Sequence, residues 1–272
     1  MVCVMTVIEP VGDDGRTFLL RADGVDVARV ARPTAADPPS WTLEILADPA
    51  SNAAPISTAD VVRDARALVA SRGGGELHWW RVGATDAEAR EATELGFRAD
   101  RTLLKLRRLL PHPDAPIWPE GVHEDRFVVG RDEADWVALN NAAFAGHPEQ
   151  GSWTVDTLVA REAEPWFDPE GFVLARDEQG LAGACWTKVH PAGTDEAETV
   201  GEIYVICTAP DRSGKGLGRA LVLAGLAHLA RTCPIGMLYV DAANERAVHL
   251  YFNLGFVEAR RDRAFVATVE PV

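Results

Sequence analysis

The segment APDRSGKGLGRAL, residues 209–221, has a composition suited to holding an anion. Its glycines Gly214, Gly216 and Gly218 leave backbone N–H groups uncovered, and Lys215 and Arg219 add positive charge. The flanking apolar runs predict a strand over 200–207, a turn over 209–215 and a helix over 216–230. Because a helix N-terminus carries a partial positive charge, the pattern predicts an anion cradle of pyrophosphate size. The alternative interpretation is a glycine-rich turn without a ligand.

Two familiar phosphate-binding loops do not fit this segment. A P-loop requires GxxxxGK[ST], which is missing here. A dinucleotide fingerprint requires GxGxxG, and its third glycine position falls on Arg219 when counted from Gly214. The loop therefore indicates a different kind of phosphate-bearing ligand.

The elements that must position this loop occur twice in the chain. Matching landmarks recur at offsets of 154 to 161 residues, in the pairs 18–30 and 172–186, 42–49 and 201–210, and 76–97 and 236–256. The first pair predicts a hairpin, and the second predicts an extended run that ends in proline. The third predicts a strand followed by a capped helix that ends in LGF. The repeat predicts two tandem α/β modules with mixed sheets of the α+β type.

The two copies are not equal. Where the second has its glycine loop, the first has DPASNAAPISTADVV at 48–62, whose alanines and proline would obstruct a close backbone approach. The second copy also has extra sequence at its front, predicted as a strand near 126–130, a helix over 132–144 and a second helix from about Thr154. We therefore expect a degenerate domain over 1–110, a Pro-rich linker over 111–122 and a catalytic, ligand-binding domain over 123–272.

Composition narrows the function classes. The 272 residues carry 41 Asp and Glu against 27 Lys and Arg, a net charge of −14, and the excess acid lies after residue 110. This disfavours nucleic acid as a partner and favours a cationic small molecule, although acidity also serves solubility. No apolar run or leader predicts a membrane span or secretion, and four widely spaced cysteines predict neither disulfides nor a metal site. We expect a cytoplasmic protein without a membrane partner.

The glycine loop resembles motif A of the GNAT N-acetyltransferases, R/Q-x-x-G-x-G/A, which binds the pyrophosphate of acetyl-CoA. Gly216 and Gly218 match its glycines. The Arg or Gln position of the motif falls on Ser213, and an arginine stands one place earlier, at Arg212. The resemblance implies acetyl-CoA as cosubstrate, and the serine leaves the motif without a guanidinium at that position.

Four further segments resemble the mycothiol synthase family, a group of tandem GNAT enzymes. They are NNAAFAGHPEQGSWT at 140–154, EPWFDPEGFVLA at 164–175, WTKVHP at 186–191 and GEIYV at 201–205. Members of that family acetylate the cysteinyl amine of cysteine-glucosamine-inositol, the last step to mycothiol. The likeness spans most of 125–272, whereas over 1–110 it is architectural only.

Glu202 is the candidate general base. Strict alternation along the strand places it on one face with Tyr204 and Ile206, and a carboxylate near the acceptor amine can accept its proton. The family resemblance implies the same role. Glu44 stands at the matching position of the first copy, which has no cradle, so glutamate there is partly architectural.

Tyr251 is the candidate general acid, because a phenol is protonated at neutral pH and can donate to the departing thiolate. It lies seven residues after Asn244, two helical turns away on the same face, and Asn244 can cap that helix. The matching turn of the first copy, around Ala92, has no tyrosine. The alternative is an aromatic side chain that only fills the core.

The resemblance also implies a full set of ligand contacts. The acetyl-CoA contacts are Ile206, Cys207, Thr208, Ser213, Gly214, Lys215, Gly216, Leu217, Gly218, Arg219, Asn244, Arg246, Ala247 and His249. The acceptor contacts are Glu149, Lys188, Glu202 and Tyr239. His190 beside them is interpreted as structural, since no third ligand completes a metal site.

Three functions remain open from the sequence: mycothiol formation, acetylation of another small amine such as an aminoglycoside or a peptide, and acetyl-CoA binding without catalysis. Retention of Glu202 and Tyr251 favours an enzyme. Nothing in the pattern predicts a protein partner, and we expect a monomer.

Overall fold

The computed structural model describes residues 7–11, 15–32, 40–46, 56–145, 150–193, 197–212 and 214–272. Ser213 and Glu149 lie outside these ranges. The strands are β1 Val7–Val11, β2 Thr17–Ala22, β3 Val25–Ala31, β4 Ser40–Ile45, β5 Gly75–Arg81, β6 Arg98–Leu109, β7 His123–Arg126, β8 Phe172–Asp177, β9 Gly180–His190, β10 Val200–Thr208, β11 Ile235–Asp241 and β12 Val257–Val269. The helices are α1 Thr58–Ser71, α2 Asp86–Glu94, α3 Glu133–Ala143, α4 Val155–Glu162, α5 Leu217–Leu229 and α6 Glu245–Asn253.

The repeat seen in the sequence is present as a repeat of elements. The order β2-β3-β4-α1-β5-α2-β6 recurs as β8-β9-β10-α5-β11-α6-β12. In each copy the first three strands pair antiparallel and the third pairs parallel with the fourth. The mixed α/β class predicted from the sequence is confirmed.

The chain forms two compact units, and each unit combines segments from different parts of the chain. One unit contains Met1–Leu104, Asp241–Ala243 and Arg260–Val272, and the other contains Lys105–Val240 and Asn244–Ala259. Residues 263–269 of β12 join the first because they pair antiparallel with β5. The end of β6 joins the second, where β6 neighbours β11. The domain boundary that the sequence analysis places at residue 110 remains a prediction.

The first unit has strand order β1-β2-β3-β4-β5-β12-β6. Its core is built on the fully buried rings of Phe18, Trp41 and Trp79, with α1 contributing Val61 and Leu68. Ser57 begins α1 by accepting a hydrogen bond from the N–H of Asp60 at 3.2 Å. This packing explains the alternating burial along β2, where every second side chain is buried.

The second unit has strand order β6-β11-β10-β9-β8-β7. On one face α3 and α4 cover an aromatic cluster that includes Trp136, Phe172 and Trp186. The strands pack against α5, in which nine residues of LGRALVLAGLAHL are buried. A sequence this apolar predicts a helix enclosed on most sides, which the structure shows.

One predicted strand is misplaced. The strand expected near 126–130 is found at His123–Arg126, and a turn follows it. The carboxylate of Asp132 accepts a hydrogen bond from the N–H of Val128 at 2.9 Å, and Gly130 has φ +81°. The apolar pair Val128–Val129 resembles a strand locally, but this turn and its glycine end the extended backbone.

Candidate functional site

A cavity of about 520 Å³ opens at the N-terminus of α5 in the second unit. It is lined by Ala143, Ile206, Cys207, Thr208, Pro210, Gly214, Gly216, Gly218, Arg219, Asn244, Arg246, Ala247, Leu250 and Tyr251. Eleven of these are predicted ligand or catalytic residues, from the end of β10, the glycine loop and α6. The structure therefore brings α6 to one cavity with the end of β10 and the glycine loop, which follow each other in the sequence.

The glycines of the loop leave room on the cavity side. Gly216 is the N-cap of α5 with φ +88°, a conformation that residues with a Cβ disfavour, and it has no side chain with which to cap the helix. Gly218 has an ordinary helical φ, and a Cβ added there would meet nothing closer than Leu250 Cδ2 at 3.6 Å. By contrast, a Cβ at Gly225 would lie 2.5 Å from Cys185 Sγ. Internal packing thus explains Gly225 but not Gly218, whose open side faces the cavity.

The first turn of α5 presents backbone donors beside the cavity. The first backbone hydrogen bond of α5 runs from the N–H of Ala220 to the carbonyl of Gly216 at 3.0 Å. The N–H groups before Ala220 have no carbonyl within the helix to bind, and they carry the positive end of the helix dipole. An anion of pyrophosphate size fits these donors and the space left by the glycines.

Two arginines near the loop make contacts with nearby carboxylate or amide side chains. Arg219 lines the cavity and donates to Asp114 Oδ2 at 2.5 Å, in the segment predicted as the linker. Arg212 lies 2.9 Å from Asp177 Oδ2 and donates to Gln179 Oε1 at 2.6 Å. Arg212 is therefore directed to the β8–β9 turn and does not line the cavity.

Strand β10 changes its pairing beside the cavity. It pairs parallel with β11 over Val200–Ile203, yet β10 continues to Thr208 and β11 to Asp241. Its register with β9 shifts by one residue between Ile203 and Val205. These two irregularities leave the end of β10, which lines the cavity, without its parallel partner.

The same bulge overturns strict alternation along β10. The sequence pattern assigned Glu202, Tyr204 and Ile206 to one face and Val205 and Cys207 to the other. In the structure Val205 and Cys207 belong to the aromatic cluster against which Tyr204 packs. Because an extra residue in one strand reverses the facing of everything after it, the pattern was wrong beyond Tyr204.

Tyr251 is placed on the inner side of α6, where 5% of its surface is exposed. Its ring packs against Phe256, with the centroids 5.8 Å apart. Burial raises the pKa of the phenol above its ordinary value. Asn244 begins α6 by accepting a hydrogen bond from the N–H of Ala247 at 3.2 Å, so both residues line the cavity from one helix.

Glu202 is not among the residues that line this cavity. Its side chain is buried, with Oε2 2.6 Å from Nε2 of His190. Lys188 stands opposite Glu202 in the β9–β10 register, and its Nζ lies 4.6 Å from the Trp166 ring centroid and 5.5 Å from that of Tyr204. The sequence interpretation of His190 as structural did not include this contact. The available signal was the spacing of Lys188 and His190, because residues two apart on a strand face the same side of the sheet.

The remaining predicted contacts lie around these two groups. Lys215 and Leu217 line a smaller cavity of about 240 Å³ beside the 119–122 segment. His249 is exposed on α6. Tyr239, on β11, has the Nζ of buried Lys105 5.8 Å from its ring centroid. Ser213 and Glu149 are outside the described residues, so their roles stay predictions.

The sequence matches the Acetyltransferase (GNAT) family over residues 134–256. It is 45% identical over 247 residues to the mycothiol acetyltransferase of Thermobispora bispora, covering 90% of this chain and 81% of that one. The enzyme of the same name from Frankia casuarinae is 43% identical over 252 residues, covering 89% and 69%. The chain belongs to the mycothiol acetyltransferase family of GNAT proteins. The resemblance seen in the sequence is confirmed, and the protein is an acyltransferase.

Solved structures show the same fold. A GCN5-related N-acetyltransferase from Sphaerobacter thermophilus aligns with a TM-score of 0.70 at 21% identity, covering 94% of this chain and 81% of that one. A tandem GNAT protein from the clavulanic acid biosynthesis pathway aligns with a TM-score of 0.63 at 19% identity, covering 94% and 83%. Among the described helices, none has both the length and the apolar character needed to cross a bilayer.

Proposed function

We propose that this enzyme transfers the acetyl group of acetyl-CoA to the cysteinyl amine of cysteine-glucosamine-inositol, which gives mycothiol. The observation that carries the proposal is the glycine-lined cavity with Tyr251 at its wall, in a chain whose curated relatives are named for this product. GNAT acetyltransferases use acetyl-CoA, and the open glycines and helix N-terminus at the cavity support that cosubstrate here, because they suit a pyrophosphate.

In this proposal the cavity holds acetyl-CoA through its backbone. The N–H groups of the α5 first turn hold the pyrophosphate, and Arg246, whose Nη2 would lie 3.7 Å from a Cβ at Gly214, lies over the same loop. The end of β10, over 206–208, pairs with β9 on one side and lies beyond its parallel pairing with β11 on the other, and that second side offers backbone groups to the pantetheine arm and the thioester oxygen. Ser213 takes the position at which the family motif has Arg or Gln.

The chemistry is direct attack of the amine on the thioester carbonyl. Glu202 accepts the proton that the amine loses, either directly or through a water molecule. A C–N bond forms, the C–S bond breaks, and Tyr251 donates its phenolic proton to the departing sulfur. The raised pKa of Tyr251 keeps that proton in place at neutral pH.

Cys207 supports direct attack over a cysteine acyl-enzyme. It lines the cavity, yet burial raises the pKa of its thiol to about 12. The thiolate is the nucleophilic form of cysteine, so at neutral pH this thiol is a poor acetyl acceptor.

The acceptor is proposed to bind on the Glu202 face of β10. Lys188 supplies hydrogen-bond donors for sugar or inositol hydroxyls, and Trp166 supplies an apolar ring of the kind on which a sugar face packs. Glu149 adds a carboxylate for the substrate ammonium, as the family resemblance implies.

The test is CoA release by the purified full-length protein with acetyl-CoA and each of four amines: cysteine-glucosamine-inositol, glucosamine-inositol, an aminoglycoside and a peptide with a free N-terminus. We expect turnover with the first and a loss of about 10²–10⁴-fold in kcat for Glu202→Gln. Turnover only with another amine would replace the acceptor, and acetyl-CoA binding without turnover on any amine would refute an enzyme of this specificity.

A further inference from the structure

We propose that His190 is a positioning residue for Glu202: its Nε2–H donates to Oε2 of the carboxylate and leaves Oε1 to accept the proton of the amine. This inference rests on the proposed base role of Glu202. It assigns a function to a histidine whose sequence context indicated only a structural part.

The register explains why the two side chains meet. His190 stands opposite Val200 across the β9–β10 pair, and Glu202 stands opposite Lys188, so His190 and Glu202 are diagonal neighbours on one face. Such neighbours lie within reach when the side chains are long. The Nε2–Oε2 distance is 2.6 Å, with side-chain exposures of 19% and 11%. The contact is therefore largely shielded from water, where a hydrogen bond to a carboxylate orients strongly.

The first copy of the repeat, which lacks the glycine loop, gives a comparison for the residues opposed across this strand pair. Arg29 and Glu44 occupy the equivalent opposed positions on β3 and β4, and they form an ion pair of 2.8 Å. Both side chains are about half exposed, at 49% and 57%. The glutamate there uses the cation directly opposite, in contact with solvent.

In the second copy, Lys188 and Glu202 take these opposed positions, and each has a different contact. Lys188 holds its ammonium over Trp166 and Tyr204, and the partner given to Glu202 within the described residues is His190. A lysine in contact with the carboxylate would compete with an incoming ammonium for it. An imidazole Nε2–H fixes one oxygen of the carboxylate and leaves the other for the acceptor amine.

The imidazole also determines which oxygen reacts. With Nε2 protonated, Oε2 is occupied by a donor, and the lone pairs of Oε1 stay available to accept a proton. Since the base must lie within hydrogen-bond reach of the proton it takes, a carboxylate free to rotate would spend less time in that geometry. His190 therefore acts on the rate of the chemical step rather than on acetyl-CoA binding.

Three variants separate this role from a structural one. In His190→Gln the amide nitrogen replaces Nε2 in position, in His190→Asn it falls near the position of Nδ1, and His190→Ala removes the donor. We expect kcat to stay within about threefold of wild type for Gln and to fall about 10-fold or more for Asn and Ala, with the KM for acetyl-CoA unchanged in all three. The matched control is His228→Gln, which alters another histidine–carboxylate pair, Nε2 to the half-exposed Asp168 Oδ2 at 3.0 Å, and should leave kcat unchanged.

Equal kcat in the wild type and the three His190 variants would overturn the proposal. An equal loss of kcat in the three His190 variants would also overturn it. A second measurement does not depend on variants that fold: long-range ¹H–¹⁵N spectra of the wild type should show a proton on Nε2 of His190. A neutral Nδ1–H tautomer would reverse the donor and also refute the proposal. Absence of turnover by the wild type on every amine would instead refute the proposed function, and the spectrum would still test the hydrogen bond.

Discussion

Lys188 lies directly opposite Glu202 in the β9–β10 register, yet its ammonium lies over the ring of Trp166, 4.6 Å from the centroid. A lysine this close to a glutamate ordinarily forms an ion pair, as Arg29 does with Glu44 in the first copy. The aromatic faces hold the cation on the same side of the sheet as the carboxylate, where the proposed acceptor would meet both groups.

This placement predicts that Lys188 contributes to binding of the amine acceptor. Lys188→Met should raise the KM for the acceptor about 10-fold, because a charged hydrogen-bond donor is lost, and should leave the KM for acetyl-CoA unchanged. Steady-state kinetics with each substrate varied in turn measures both. Lys188→Arg, which keeps a cation that stacks on aromatic rings, should recover most of the affinity. Equal increases in both KM values would contradict an acceptor-specific role.

Gly218 tests whether the cavity holds the pyrophosphate. An added methyl group has room, with Leu250 Cδ2 at 3.6 Å, and alanine is the better helix former by about 1 kcal/mol. Gly218→Ala should therefore keep or raise the melting temperature while weakening acetyl-CoA binding 10-fold or more, because the methyl group covers the amides. Calorimetry and thermal melts give the two quantities. An unchanged Kd in a stable variant would remove Gly218 from the cradle.

Tyr251→Phe tests the general acid with little change in packing, since the ring contact with Phe256 is retained. We expect kcat to fall by about 10²-fold or more. The raised pKa means that the phenol keeps its proton below its ordinary pKa of about 10 and loses it only at higher pH. The wild type should therefore show no loss of kcat from deprotonation of this group between pH 7 and 10. A high-pH decline centred below pH 9 that the Phe variant lacks would contradict the assignment.

Cys207 distinguishes direct attack from an acetyl-cysteine intermediate. Because its thiol stays protonated at neutral pH, Cys207→Ala should retain kcat within a few-fold. Rapid mixing of the wild type with acetyl-CoA alone should release no stoichiometric burst of CoA. A burst that disappears in the Ala variant would establish the covalent route instead.

Asp114 is expected to limit the contribution of Arg219 to cosubstrate binding. The two side chains are joined at 2.5 Å and are both partly exposed to solvent, and Arg219 lines the cavity. Asp114→Asn leaves Arg219 without that carboxylate and should tighten acetyl-CoA binding about two- to fivefold, more at low salt than at high salt. Titrations at two ionic strengths test this. Arg219→Gln should weaken binding in both backgrounds, and no change in either variant would show that Arg219 does not contact the cosubstrate.

Several features of the fold and the site follow from local sequence, and the reason is that each depends on nearby residues. The glycine loop, the helix after it and the Asn244 cap are set by side chains within a few positions. The repeat was visible because each copy preserves its own spacing of apolar runs and turns. These signals place the cavity-lining segments without knowledge of the tertiary structure.

Non-local pairing decided the rest. Only the strand register brings His190 to Glu202, and only the bulge after Ile203 turns Val205 and Cys207 toward the aromatic cluster. The position of a side chain on a strand depends on how the neighbouring strand pairs with it, and one extra residue reverses the facing of all that follow. The sequence by itself determined which residue types are present for acetyl transfer and in which segments. The tertiary structure determined which of them touch, because contacts across a sheet join residues whose separation along the chain carries no signal of their meeting.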